Sequence, residues 1–398
     1  MADSPRIKTT HVGSLVRPDE LIAFLRKRDK GESYDEQAYQ ECLTRSVRDV
    51  VRKQREAGVD IVSDGEYGKS AWNYYVYERL GGIELRPHPP TEANFASVNE
   101  NPTDWARFAE FYAEYFAKEQ EYEGPGGDWA CVDKVTYTGG DIIARDIANL
   151  KAAMEAEGVE EGFLPVVAPA SCFPNLIDEH YGSEQAALMG IAEALREEYK
   201  AIVDAGLYVQ IDDAYIPFMY DVIVPPGTME DYRAWAQPRI DALNHALEGI
   251  PEDRVRYHYC WGSWNGPHTN DVGLGEIADL LLQVNASVYL IEEANPRHEH
   301  EWRVWENVEL PAGKKLAPGV ISHATNVVEH PELVAERVER LANLVGPENV
   351  LASTDCGFAQ GPYIHRVHPT IQWAKLSSLA EGAKLATEHL AAGTAARA

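Results

Sequence analysis

The stretch "QAALMGIAEALREEYKAIVDAGLYVQIDDA", residues 185–214, decides the fold. Up to Gly206 its apolar residues recur at helical spacing, three or four positions apart, which is the signature of an amphipathic helix. After the turn comes "GLYVQIDDA", a short apolar run that closes on two aspartates, Asp212 and Asp213. The same unit recurs along the chain. Apolar runs lie in "RIKTTHVGS", "GVDIVSDGE", "GFLPVVAPA", "GLYVQIDDA", "RVRYHYCWG", "ASVYLIEEA", "KKLAPGVIS" and "ENVLASTDC", eight in all. Helix-like segments separate most of them. One is "HPELVAERVERLANLVG", with Pro331 in its first turn and Gly346 as its stop. Strands that alternate with helices predict a parallel sheet. Eight such units over 398 residues fit an α/β architecture of the (β/α)8 TIM-like barrel type better than a doubly wound sheet. The first strand leads into "THVGSL", with one glycine where a dinucleotide-binding loop needs several.

Residues 84–140 break the alternation. They are rich in Pro, Trp, Tyr and Phe, and read as a long insertion after the second strand. Such an insertion would cover the barrel mouth or build a subunit contact. Residues 1–398 are thus expected to form a single barrel domain carrying that insertion.

Charge narrows the partners. The chain holds 36 basic and 64 acidic residues, a net charge of -28. That surface repels phosphate backbones and anionic membrane faces, so neither nucleic acid nor membrane is an expected partner. It also disfavours a polyanionic small ligand, unless a local basic pocket receives it. Five cysteines, an odd and sparse set, do not make a disulfide framework. With no apolar signal core and no membrane-length apolar segment, a cytoplasmic protein with reduced thiols is expected. A homo-oligomer is compatible with the sequence but not fixed by it.

Active sites of barrels of this kind lie at the C-terminal ends of the strands. The first run ends with His11, Gly13 and Ser14, followed by Arg17; the second offers Asp64 and Glu66; the fourth, Asp212 and Asp213. The later runs bring His258 and Cys260, then Glu292 and Glu293, then His323, and last Asp355 and Cys356. His258 and Cys260 are two apart, so in an extended strand they point to one side. Either cysteine alone would read as a small buried hydrophobe. Both at strand ends, with His258 and a glutamate, instead make a nitrogen, sulfur and oxygen set that suits tetrahedral zinc, and two thiolates favour zinc over magnesium or calcium. Zinc with two thiolates and no nucleophile triad points to thiol chemistry, because the thiolate is the nucleophile and a metal can hold a substrate sulfur in that form. Alkyl transfer to sulfur is the expected reaction.

The stretches "TTHVGSLVRP", "SDGE", "QIDDAY", "HYCWGS", "IEEANPRHEHEW", "PGVISH" and "TDCGF", from about residue 8 to residue 360, resemble in order and spacing the cobalamin-independent methionine synthase family, specifically its catalytic C-terminal barrel. The family fold is a TIM-like barrel shared with uroporphyrinogen decarboxylase. The resemblance implies a zinc-dependent methyltransferase that acts on a thiol, like 5-methyltetrahydrofolate (pteroyltriglutamate)–homocysteine S-methyltransferase in methionine biosynthesis. Its zinc ligands would fall on His258, Cys260, Glu292 and Cys356, with Glu292 preferred to Glu293. Its acceptor site would fall on Ser14, Glu66 and Asp212, since an ammonium group needs carboxylates and a carboxylate needs hydroxyl and backbone donors. His323 would be the catalytic residue that protonates the departing folate nitrogen. At the level of the residues alone, Ser14 could equally cap a helix and Asp212 satisfy buried backbone. The small-molecule partners would be a homocysteine-like thiol acceptor and a methyl or alkyl donor.

The long methionine synthases carry a second barrel that helps bind the folate tail, and this sequence holds one barrel's worth of strands. "HEHEW" and "CWGSWNGPH" are aromatic-rich and suggest a distinct subfamily. Two other readings follow. A zinc-dependent epoxyalkane:coenzyme M transferase would want Arg or Lys for a sulfonate, with Arg17 and Arg297 as candidates. A uroporphyrinogen-decarboxylase-like enzyme would want several cations and no zinc, and would leave the two thiols unexplained.

Overall fold

The computed structural model describes residues 6–87, 103–119, 127–172 and 176–397. Eight strands form one parallel sheet: β1 (Lys8–Thr9), β2 (Ile61–Ser63), β3 (Glu161–Val167), β4 (Tyr208–Asp213), β5 (Val255–Tyr259), β6 (Val288–Glu292), β7 (Lys315–Ile321) and β8 (Leu351–Thr354). Each falls on one of the eight apolar runs, β3 starting one residue ahead of its run. Neighbours in sequence are neighbours in the sheet from β2 to β8, and β8 returns to pair with β1. The remaining seam is narrow: the Asp60 N–H donates to the Thr9 carbonyl across 3.2 Å, which nearly closes the barrel.

The helices that follow the strands cover its outside. Helix Glu184–Asp204 shows why the sequence folds this way. Ser183 caps its start by accepting from the Ala186 N–H, and Leu188, Ile191, Leu195, Tyr199 and Ile202 are buried along one face. Each such aliphatic side chain contributes about 1.5–3 kcal/mol when fully buried. Gly206, with φ +88°, turns the chain into β4. Helix Pro331–Val345 keeps proline in its first turn and stops at Gly346, as its sequence predicts. Inside the barrel, Val12, Ile61, Phe163, Val288, Leu290, Ala317 and Leu351 pack as a separate small cluster. The packed interior leaves the chemistry to the strand ends.

The expected insertion 84–140 is described at 84–87, 103–119 and 127–140; the rest of it lies outside the described residues. Leu80–Pro87 pairs antiparallel with Gly127–Tyr137, and Leu176–Asp178 adds a third, parallel strand. The helices Thr103–Arg107 and Ala109–Glu119 dock on loops at the barrel mouth. The Asn265 N–H donates to the Tyr115 hydroxyl (3.2 Å), and Trp264 Nε1 to the Tyr112 hydroxyl (3.1 Å). Arg366 Nη1 donates to Tyr115 at 2.7 Å. At the other end of this segment Arg79 is buried between two carboxylates, 2.9 Å from Asp146 and paired with Glu198. Among the described residues no helix is long and apolar enough to cross a membrane.

Candidate metal centre and substrate cavity

Strand geometry gathers the cluster. His258 is the fourth residue of β5 and Cys260 follows that strand's last residue; Cys356 lies two residues past β8. The ligand atoms of His258, Cys260 and Cys356 all lie within 4.8 Å of one another, and all three residues are buried. The two sulfurs are 3.7 Å apart, and all five cysteines are free. Glu292 ends β6 near this group, close enough for Cys356 and Cys260 to act on its carboxyl, but its ligand oxygen clusters with His323 and Asp355 rather than with His258 and the two thiols. Its Oε1 accepts from the Trp261 N–H at 3.3 Å and its Oε2 from Asn295 Nδ2 at 2.8 Å. Glu293, one residue on, points the other way, into a pocket with Trp305 and Glu301, and burial raises its pKa to about 8. Of the two glutamates, Glu292 is the one beside the thiols.

The electrostatics are those of a site arranged for a cation. Burial and the nearby Asp355 and Cys356 push the Glu292 carboxyl up. The Cys260 thiol, in contact with the Cys356 sulfur and buried, is pushed up in turn. Cys356 moves the opposite way: Cys260 and His258 stabilise its thiolate against the cost of burial. Burial opposes a charge on His258, but Asp212 and Cys356 outweigh it and raise the imidazole to about 10. Four titratable groups with strongly opposed shifts mark a functional site.

His258 also shows how a ligand could be oriented. Nδ1 lies 3.1 Å from Asp212 Oδ1, while Nε2 is buried with no hydrogen-bond partner among the described residues. A histidine that donates from one ring nitrogen to a carboxylate, with the other nitrogen bare, is prepared to bind a metal. The donor set of one imidazole, two thiols and one carboxylate fits zinc.

A cavity of about 380 Å³ opens over the cluster. Ser14, Glu66 and Asp212 all line it, together with His258, Cys260 and Cys356. Ser14 Oγ accepts from the Ala359 N–H (3.3 Å), so its oxygen is held by the loop after β8. Glu66 sits at φ +61°, an unusual conformation for a side-chain-bearing residue. Its Oε2 makes no hydrogen bond, although Lys69 Nζ is 3.8 Å away. Burial raises its pKa to about 7, with Lys69 opposing.

His323 is placed differently from these. It lies beside Glu292 and Asp355, within 4.8 Å between ligand atoms, rather than on the wall of the cavity. Burial lowers its pKa, against the attraction of Cys356. Arg17 is buried beneath Glu66 and donates to the Glu66 and Lys69 carbonyls, and Arg297 is exposed; neither lines the cavity. The cation that does is Arg366, which the strand-end reading missed because it lies ten residues beyond Cys356, in a loop without an apolar run. Also missed was the support behind the cluster. His298 stacks on Trp261 at 4.0 Å and joins Asp271 (3.1 Å) to Glu301 (2.9 Å), within the "HEHEW" region noted for its aromatic content.

Comparison with known proteins shows the family and the fold. The chain is 24% identical over 417 residues to 2-hydroxypropyl-CoM lyase of Xanthobacter autotrophicus, covering 97% of this chain and 96% of that one. It is 24% identical over 396 residues to methionine synthase of Saccharolobus solfataricus, covering 98% of each. It is 22% identical over 354 residues to methionine synthase of Pyrococcus furiosus, covering 89% and 86%. Its fold is that of a B12-independent methionine synthase from Shewanella sp. W3-18-1, with a TM-score of 0.71 at 19% identity, covering 98% of this chain and 100% of that one. Residues 173–371, half of the chain, match the family described as cobalamin-independent synthase, catalytic domain, and the chain belongs to that family.

Proposed function

We propose that the protein is a zinc-dependent methyltransferase that moves a methyl group from a reduced folate to the sulfur of homocysteine, forming methionine. The observation that carries this reading is the bare Nε2 of His258 beside two thiols 3.7 Å apart, with Nδ1 fixed by Asp212. His258, Cys260, Glu292 and Cys356 would hold the zinc. Bound there, zinc supplies the positive charge that keeps an acceptor sulfur as thiolate near neutral pH.

The chain's own groups do the rest. Glu66 and Asp212 suit the acceptor's ammonium group, and Ser14 with neighbouring backbone N–H groups suits its carboxylate. The apolar walls keep water from competing for the methyl group. A sulfur lone pair forms the new S–C bond as the C–N bond of the donor breaks; that electron pair stays on nitrogen, which takes up a proton. His323 is our candidate source of that proton. Since burial keeps it neutral, it would first have to be protonated from solvent or substrate. The free, buried cysteines suit a reducing, cytoplasmic setting.

The test is incubation of the metal-loaded protein with homocysteine and 5-methyltetrahydrofolate. Methionine should appear in proportion to enzyme; no methionine with any reduced folate would overturn the reading.

A second reading has its own support. The similarity to 2-hydroxypropyl-CoM lyase runs nearly end to end, and Arg366 on the cavity wall could pair with a sulfonate. On this reading the thiolate of coenzyme M would open an epoxide, with the C–O electron pair kept by oxygen and then protonated. The carboxylates of Glu66 and Asp212 favour the amino acid acceptor. A competition assay separates the two: homocysteine should protect against coenzyme M on the first reading, and the reverse should hold on the second.

A further inference from the structure

Beyond Cys260, the aromatic-rich stretches "CWGSWNGPH" (260–268) and "HEHEW" (298–302) hold no group that the proposed chemistry uses. They meet behind the metal ligands, in two indole–imidazole pairs that share one carboxylate. Trp261, which follows Cys260 directly, stacks on His298 with ring centres 4.0 Å apart. Trp264, on the cavity wall, packs on His268 at 4.1 Å. Asp271 stands between the pairs: one oxygen lies 3.1 Å from His298 Nε2 and the other 3.2 Å from His268 Nδ1. Glu301 completes the chain, 2.9 Å from His298 Nδ1, and its other oxygen accepts from the Leu274 N–H at 2.7 Å. These contacts hold the loop in a conformation it would not adopt alone, for His268 sits at φ +50°, in the left-handed region.

Both ring nitrogens of His298 face carboxylates, so both donate and the ring is an imidazolium. Burial opposes that charge, but Asp271, Glu301 and the nearby Glu292 outweigh it and raise the pKa to about 10. A cation lying flat on an indole adds an attraction of its own.

The chain of contacts ends on Glu292. Its Oε1 accepts from the Trp261 N–H and its Oε2 from Asn295 Nδ2. His298 stands behind both donors. Its ring packs on Trp261, and its backbone N–H donates to Asn295 Oδ1 at 3.1 Å. The Trp261 indole is also fixed at its far end, where Nε1 donates to the Val272 carbonyl at 2.8 Å. A carboxylate held at both oxygens keeps one orientation, and outer partners of this kind set how well a ligand group serves its metal.

We propose that His298 is a positioning residue of the metal centre: stacked on Trp261 and anchored by Asp271 and Glu301, it fixes the two donors that orient the Glu292 carboxylate, the oxygen ligand of the proposed zinc. The inference rests on the zinc reading above and assigns that site its support. It also gives the two aromatic-rich stretches a shared task, since each supplies one half of the stack behind Glu292.

The experiment is a double-mutant cycle on zinc affinity, read by competition with a chelator of known affinity, for the wild type, His298→Gln, Glu292→Gln and the pair together. His298→Gln should weaken zinc binding about tenfold, the lower end of what outer partners contribute. In the Glu292→Gln background the same change should cost less than about twofold, because the group it acts through is already gone. A residue that only stabilises the fold would give the same loss in both backgrounds. Cobalt(II) in place of zinc adds a spectroscopic check: His298→Gln should shift the d–d bands and keep the sulfur charge-transfer band, since both thiols remain. Asp271→Asn, which exchanges one atom, should act in the same direction and takes the place of His298→Gln in the cycle if that variant does not fold.

Equal losses in both backgrounds, a His298→Gln that binds zinc like the wild type, or a Glu292→Gln that does, would overturn the proposal. A wild type that binds no zinc would sink it together with the zinc reading. A coupled cycle in a protein that forms no methionine would sink the methyl-transfer reading and leave the assignment of His298.

Discussion

The imidazole of His258 is fixed at Nδ1 by Asp212, 3.1 Å away, and bare at Nε2. Asp212 is itself held, since its Oδ1 also accepts from Gln210 Nε2 at 2.9 Å. One carboxylate therefore orients the metal-facing nitrogen and still lines the substrate cavity. The orienting role has a consequence that can be measured. Asp212→Ala should weaken zinc affinity by about 10- to 100-fold, read by competition with a chelator of known affinity. An unchanged affinity would confine Asp212 to the cavity wall.

Glu66 should control how the acceptor binds. Burial lifts its pKa to about 7, so it is half protonated near neutrality and becomes a carboxylate as pH rises. An acceptor held through its ammonium group then binds better with rising pH, and the KM for homocysteine should fall through about pH 7. Glu66→Gln should remove that step and raise KM by about 10- to 100-fold, the worth of a hydrogen bond to a charged group. A KM that keeps both its value and its pH step would place the ammonium group elsewhere.

His323→Gln separates proton donation from packing. If His323 protonates the departing nitrogen, kcat should drop by about 10²- to 10⁴-fold while bound zinc and the KM for homocysteine stay near wild type. A parallel loss of zinc would instead make His323 a structural neighbour of Glu292 and Asp355, the groups it lies against.

Away from the site, Arg79 ties the base of the insertion to two surrounding helices through Asp146 and Glu198. All three are buried. Arg79→Ala would leave buried Glu198 without its cation and Asp146 with Arg145 alone, and should cost about 3–5 kcal/mol of stability in urea unfolding. The triple change Arg79→Met, Asp146→Ala, Glu198→Gln, which removes the stranded charges, should recover a good part of that. A loss below about 1 kcal/mol for Arg79→Ala would mean that water reaches the pair.

Much of this architecture was legible in the sequence because a parallel barrel strand is buried on both faces. Strand cores such as "FLPVV" and "VYLI" are apolar, and a polar residue at the end of most runs marks the rim. His258, Cys260 and Cys356, with a glutamate at 292 or 293, could be grouped on that ground before any distance was known; the preference for Glu292 comes from the family resemblance. What escaped reading carries no such period. Arg366 lies on an irregular loop, and the His298–Asp271–Glu301 network joins residues up to 30 positions apart through side chains alone. The pairing of Leu80–Pro87 with Gly127–Tyr137 bridges some forty intervening residues, and strand pairing over such a gap leaves no local trace. His323 was legible as a strand-end residue, but its seat beside Glu292, off the cavity wall, depends on packing around Cys356.

The most direct test of a thiol-activating metal site is zinc per chain in the purified protein and in Cys356→Ala, with metal-edge absorption recorded before and after homocysteine is added. The expected result is near-stoichiometric zinc in the wild type, a sharp loss in the variant, and an added sulfur neighbour at the metal when the thiol is present. Zinc that is absent from the wild type, or indifferent to Cys356 and to homocysteine, would contradict the proposed chemistry and leave a barrel of this family whose thiols serve another purpose.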